Sequence, residues 1–194
     1  SIRESIQAVA EQNVEVARRV IDRDDLVDQM EVSIEENCMK LIALQQPLAR
    51  DLRTIGTVLK IITDLERMSD HAVNIAEIAL RIGTEPLIKP LVDIPRMARM
   101  AQAMVKASLD AFVNKDVELA RRVMADDEPV DQLYSSLFEE LIGMSLRGEN
   151  LQRASQAINL LFVARYLERI ADHATHVAER VGYRVTGERV QHLR

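Results

Sequence analysis

Two eight-residue stretches, LERMSDHA (Leu65–Ala72) and LERIADHA (Leu167–Ala174), agree at six positions and lie 102 residues apart. Their two differences, Met68 against Ile170 and Ser69 against Ala171, are conservative in size. A longer pair, VEVARRVIDRDDLVDQM (Val14–Met30) and VELARRVMADDEPVDQL (Val117–Leu133), aligns at an offset of 103. A one-residue deletion near Gly148 reconciles the two offsets. The chain is therefore a tandem duplication of a unit of about 100 residues.

The residue types decide what each unit can build. Gly (6) and Pro (5) are scarce, aromatics are 3% of the chain, and Ala, Leu, Glu, Arg and Met, all good helix formers, dominate. The expected fold class is all-α. In the first unit a short helix covers Ile2 to about Glu11. A second starts after Asn13, a favourable N-cap, and runs to about Gln45. Its apolar positions Val16, Val20, Val27, Met30, Ile34, Met39, Leu41 and Ile42 recur at helical spacing. A third runs from about Leu48, just after Pro47, to Ile82, where Gly83 stops it.

The second unit repeats the pattern over about Ile94–Val113, Val117–Ser145 and Asn150–Arg184, with Asp116 as a cap and a turn at Gly148. Pro129 predicts a kink in the fifth helix that the first unit, with Leu26 there, does not share. Short connections make neighbours antiparallel. The predicted architecture is two tandem antiparallel three-helix bundles related by a pseudo-twofold axis: 1–83, a linker 84–93 marked by Pro86 and Pro90, and 94–194. Only thirteen residues precede Val14, so either about ten residues of the first helix lie upstream of Ser1 or that helix is shorter than its counterpart.

Charge and cysteine content narrow the function classes. A net charge of −6 speaks against sequence-independent nucleic-acid binding, which needs a clustered basic face. No uncharged run approaches the ~20 residues that span a bilayer, and no signal peptide is visible. The single cysteine, Cys38, excludes an internal disulfide, fits a reducing compartment and reads as a buried, inert thiol.

Carboxylates recur with the repeat. Glu66 and Asp70 share one face of the third helix, and Glu168 and Asp172 share one face of the sixth. Asp24 and Asp28, then Asp127 and Asp131, are spaced i, i+4 on the second and fifth helices. A turn near residue 46 sets residue 66 beside about 26, and a turn near 147 sets residue 168 beside about 126. Each unit then gathers four carboxylates at one level: Asp24, Asp28, Glu66 and Asp70, then Asp127, Asp131, Glu168 and Asp172.

Two such charges ~4 Å apart repel by about 4 kcal/mol at an effective dielectric near 20. Protonation, arginine or a cation can relieve this. Arg67 and Arg169 follow the glutamates but leave the helix ~100° away, so Arg23 and Arg53 are the other candidates in the first unit. All-oxygen sets suit magnesium, manganese, calcium or oxidised iron. His71 and His173 recur beside the aspartates and read as packing residues, with ligation from the edge of a site as the alternative; Asn74, Glu77, His176 and Glu179 read as a polar face.

The runs QQPLARDLR (Gln45–Arg53), DLERMSDHAVNIAE (Asp64–Glu77) and LERIADHATHVAERV (Leu167–Val181) resemble the PhoU family over essentially the whole chain. The resemblance implies two similar three-helix bundles. It implies that the E(D)xxxD motifs bind metal ions in mono- or multinuclear clusters, here at Asp24, Asp28, Glu66, Asp70, Asp127, Asp131, Glu168 and Asp172. The expected cofactor is then iron, manganese, magnesium or zinc.

The resemblance also implies a cytoplasmic, often dimeric, non-catalytic regulator of phosphate homeostasis. Such a protein represses the phosphate-starvation response by linking the ATPase of the phosphate ABC transporter to a sensor histidine kinase, and meets the membrane only through these partners. In the second unit NLQRASQ (Asn150–Gln156) replaces PLARDLR, so the two sites are unequal.

Two other readings stand beside this one. A carboxylate-bridged diiron enzyme needs Glu-x-x-His spacing, whereas here the histidine follows the glutamate by five. A metal-free structural bundle needs only that the acidic groups be solvated. No Gly-rich phosphate loop or nucleophile arrangement is present.

Overall fold

The computed structural model describes residues 1–147 and 151–188. Its elements are helices α1 (Ile2–Glu11), α2 (Val14–Asp22), α3 (Asp24–Gln45), α4 (Ala49–Ile82), α5 (Asp93–Asn114), α6 (Val117–Ala125), α7 (Asp127–Leu146) and α8 (Leu151–Thr186). The Gly148 turn and Asn150 lie outside the described residues.

Three helices per unit holds with one correction: the second and fifth are each broken once. The breaks fall at Arg23 (φ −91°, ψ −4°) and Asp126 (φ −73°, ψ −8°), 103 residues apart. A ψ near zero lifts the following turn off the preceding carbonyls and bends the chain without reversing it. The kink expected at Pro129 alone is therefore replaced by a bend common to both units. Pro129 lies in the first turn of α7, where its missing N–H has no intrahelical partner to lose.

The corners before these helices are also duplicated. Gln12 (φ 51°) ends α1 and Lys115 (φ 56°) ends α5, both in the left-handed region. Asn13 and Asp116 then cap the next helices, their side chains accepting from the Val16 N–H at 3.1 Å and the Leu119 N–H at 2.8 Å.

The linker is tied down at several points. The Gln12 side-chain amide donates to the carbonyls of Gly83, at 3.0 Å, and of Glu85. The Ile88 N–H donates to Gln156 Oε1, and Gln156 Nε2 donates to the Pro86 carbonyl at 3.3 Å. Lys89 pairs with Glu140.

The long helices α4 and α8 pack along each other. Helices α1, α2 and α3 lie on α4, and α5, α6 and α7 lie on α8. One hydrophobic cluster runs through both units, with Ile75 and Ile78 from α4, Met97 and Met104 from α5, and Leu160, Leu167 and Ile170 from α8 fully buried. Among the described residues no helix is long and apolar enough to cross a membrane.

The apolar stripe of α3 is not buried as its periodicity suggests. Val16 and Val20 on α2 are in the core, but Met30, Ile34, Met39 and Leu41 are exposed, and only Cys38 is buried on α3. Burial pushes the Cys38 thiol pKa up, as expected of an inert thiol.

Candidate functional site

The bends at Arg23 and Asp126 place the first acidic pair of each unit at a helix start. Asp24 opens α3 and Asp127 opens α7, where unpaired N–H groups and the helix dipole favour negative charge. One turn on come Asp28 and Asp131. The partners on α4 and α8 meet them at the predicted level: Ser69 Oγ donates to Asp24 Oδ1 at 3.0 Å.

Mutual repulsion registers in both quartets. Burial, then the charges of Asp28 and Asp70, raise the pKa of Asp24 against the pull of the Ser69 hydrogen bond. Burial, then Asp70, raise that of Glu66. In the second unit burial, then Asp172, raise Asp131. Burial, then Asp172, Asp131 and Asp127, push Glu168 up to about 7. Exposure matches position by position. Asp28 and Asp131 face solvent, and the other six are half-buried.

Compensation differs between the quartets. Arg67 reaches Glu66 at 3.4 Å and Asp70 at 3.2 Å, although its position on the helix predicted that it would point away. Arg23 pairs with Glu4 at 3.1 Å instead of with the quartet, and Arg53 lies against Gly187. In the second unit Arg165 pairs with one oxygen of Glu168, while Glu168 Oε2 is buried without a hydrogen-bond partner.

A further cluster sits where α4 meets α8. His173 Nδ1 lies 3.0 Å and His176 Nδ1 3.7 Å from Asp64 Oδ1, and Arg180 Nε donates to Asp64 Oδ2 at 3.0 Å. Burial works to raise the Asp64 pKa, but the hydrogen bonds to His173 and His176 and the Arg180 charge hold it below the usual carboxylate range. The hydrogen bond to Asp64 raises that of His176.

Among the described residues this is the group of three metal-capable side chains whose donor atoms all lie within 4.8 Å of one another; the quartets are spread more widely. His71, the repeat partner of His173, is buried instead. It stacks on Tyr166 with centroids 5.6 Å apart, and burial, then the His173 charge, push its pKa down to about 4. Sequence reasoning placed His176 on a polar face and passed over Asp64 and Arg180. The one available signal was the His-x-x-His spacing of His173 and His176.

This arrangement, two helical units with matched acidic quartets, coincides with a family model. The model described as PhoU domain matches residues 1–79 and again 94–181. A phosphate-specific transport system accessory protein PhoU homolog of Aquifex aeolicus is 45% identical over 192 residues, covering 99% of this chain and 86% of that protein. One from Clostridium acetobutylicum is 40% identical over 190 residues, covering 97% and 86%. The crystal structure of PhoU from Pseudomonas aeruginosa superposes with a TM-score of 0.91 at 33% identity, covering 96% of this chain and 89% of that one. The phosphate transport system regulatory protein PhoU from Streptococcus pneumoniae gives 0.88 at 30%, covering 98% and 88%. The chain belongs to the PhoU family.

The residues present fit the metal that the family resemblance implies. Glu168 carries a buried oxygen without a partner, and burial, then the charge of Asp172, hold its carboxyl partly protonated near pH 7 despite Arg165. A cation held between the pairs would offset that repulsion.

Proposed function

We propose that this chain is a non-catalytic cytoplasmic regulator of phosphate homeostasis. It represses the phosphate-starvation response and restrains phosphate uptake when phosphate is plentiful. It does so by docking, as a homodimer, on the ATPase subunit of the phosphate ABC transporter and on a sensor histidine kinase.

The observation that supports this most is the double family match over both units, alongside relatives named as phosphate-transport accessory proteins. The matched quartets support the metal part of the reading. Asp24, Asp28, Glu66 and Asp70 would hold iron, manganese, magnesium or zinc in the first unit, and Asp127, Asp131, Glu168 and Asp172 in the second. A bound cation cancels carboxylate repulsion, fixes α3 against α4 and α7 against α8, and offers open coordination positions to a partner's oxygen. The solvent-facing Asp28 and Asp131 suit docking better than the enclosed centre a carboxylate-bridged redox enzyme needs.

The test is a phosphate-starvation reporter in phosphate-rich medium, in cells lacking this protein. Reporter output should rise, fall again on supplying the chain, and stay high on supplying a folded variant with all eight carboxylates changed to Asn or Gln. Unchanged low output in the deletion strain would sink the regulatory assignment. Full rescue by the eight-fold variant would sink the role of the quartets alone.

A further inference from the structure

Asp64 and the two histidines bring a different donor chemistry to a different place. The quartets offer oxygen alone and lie within a unit. This group offers two imidazole nitrogens from α8 and one carboxylate from α4, and it joins the units. His173 and His176 are three residues apart, so their rings leave the same face of the helix. Their centroids lie 5.6 Å apart, edge to face.

Donor separations of 3.0 and 3.7 Å bracket the edge of about 3.3 Å that a tetrahedral site with bonds of 2.0–2.1 Å requires. Arg180 occupies only Oδ2, leaving Oδ1 facing the histidines. That is the hydrogen bond from an outer group that commonly orients a ligating carboxylate. Asp172 and Glu179 also act on His176, adding negative charge beside Asp64. Asp64 is 9% exposed at its side chain and His176 is 50% exposed, so one side of the group is anchored and the other open.

We propose that Asp64, His173 and His176 bind one borderline divalent transition metal, best matched by zinc, as a clamp between the two repeats. Three protein donors leave a fourth position for water or a partner's ligand. Binding displaces the proton that His173 shares with Asp64, and the imidazole nitrogen takes the metal in its place.

The repeat itself sets the stoichiometry. The positions equivalent to Asp64, His173 and His176 across the duplication are Tyr166, His71 and Asn74. Tyrosine and asparagine do not complete such a site, and His71 is stacked on Tyr166. The chain therefore carries one nitrogen-ligated metal, not two. The inference stands apart from the phosphate reading, since it concerns only what these side chains bind.

The full chain, stripped by a chelator, should be titrated with Co²⁺ as a spectroscopic probe and then with Zn²⁺. One equivalent of Co²⁺ should develop the intense visible bands of a tetrahedral nitrogen-ligated site, and Zn²⁺ should displace it. His176→Gln and His173→Gln should each abolish the bands and weaken zinc binding tenfold or more. A variant carrying E66Q, D70N and E168Q should keep them. His176 is half-exposed, so His176→Gln should keep full helical circular dichroism. Bands that persist in the double histidine variant would overturn the proposal. So would their loss in the carboxylate variant alone, or a parent protein that develops none.

Discussion

The two units share their repeat but not their burial. Val130, Leu137 and Leu141 on α7 are all in the core, whereas their counterparts on α3 are Val27, half-buried, Ile34, 38% exposed, and Cys38, buried. The apolar period is the same in both. What differs is the neighbour: α5 packs on α7, whereas α1, from Ile2 onward, makes no contact with α3. Periodicity thus marks the face a helix offers, and what packs on it decides whether that face is covered.

The sharpest break of this comparison is a matched pair of truncations. Leu137→Ala should cost about 2–5 kcal/mol, because it opens a cavity in a closed core. Ile34→Ala should cost about 1 kcal/mol or less, since much of that side chain is already in water. Denaturant unfolding of the two variants checks this, and equal losses would mean that the α3 face is covered in solution.

The quartets give the next largest effect. In metal-free protein Glu168 titrates near 7 when folded and near its ordinary 4.5 when unfolded. Between these values the folded state holds the extra proton, so this group's stabilising contribution is full below about 4.5 and is lost as pH rises to 7. Glu168→Gln should therefore raise the unfolding midpoint at pH 8, leave it nearly unchanged at pH 4.5, and flatten the profile between. Each kcal/mol corresponds to about 2–4 °C for a chain of this size. Glu66→Gln should do the same more weakly, because Arg67 already faces both Glu66 and Asp70. A Glu66→Gln effect equal to or larger than the Glu168→Gln effect would show that the arginine does not discriminate the two sites.

The smallest effect tests what the units have in common. Asn13→Ala and Asp116→Ala should each cost about 1 kcal/mol, and by similar amounts, because both side chains accept one helix N–H in the same corner. Thermal melts that separate the two by more than the cost itself would show that the corners are equivalent in geometry only.

Much of this was legible from residues. The duplication, the cap residues Asn13 and Asp116, the helix stop at Gly83 and the level at which the acidic pairs meet all follow from local spacing. The bends at Arg23 and Asp126 were not legible. No Gly or Pro marks them, and Pro129, which did suggest a kink, sits three residues past one. The Asp64 group escaped for a different reason. A repeat directs attention to positions that agree, and this cluster forms where the halves disagree, Asp64 against Tyr166, through a contact 109 residues apart in the chain.

The shared core also sets a clock during synthesis. Helix α4 ends at Ile82, but α8 is complete only at Thr186. At 5–20 residues per second, the ribosome needs roughly 5–20 s to make the intervening chain. Until then Tyr166 and His173, the rings that cover His71, do not exist, and the α4 surface destined for α8 waits in water. The nascent first half is thus a sticky intermediate for seconds, the interval in which a chaperone or a neighbouring nascent chain can reach it.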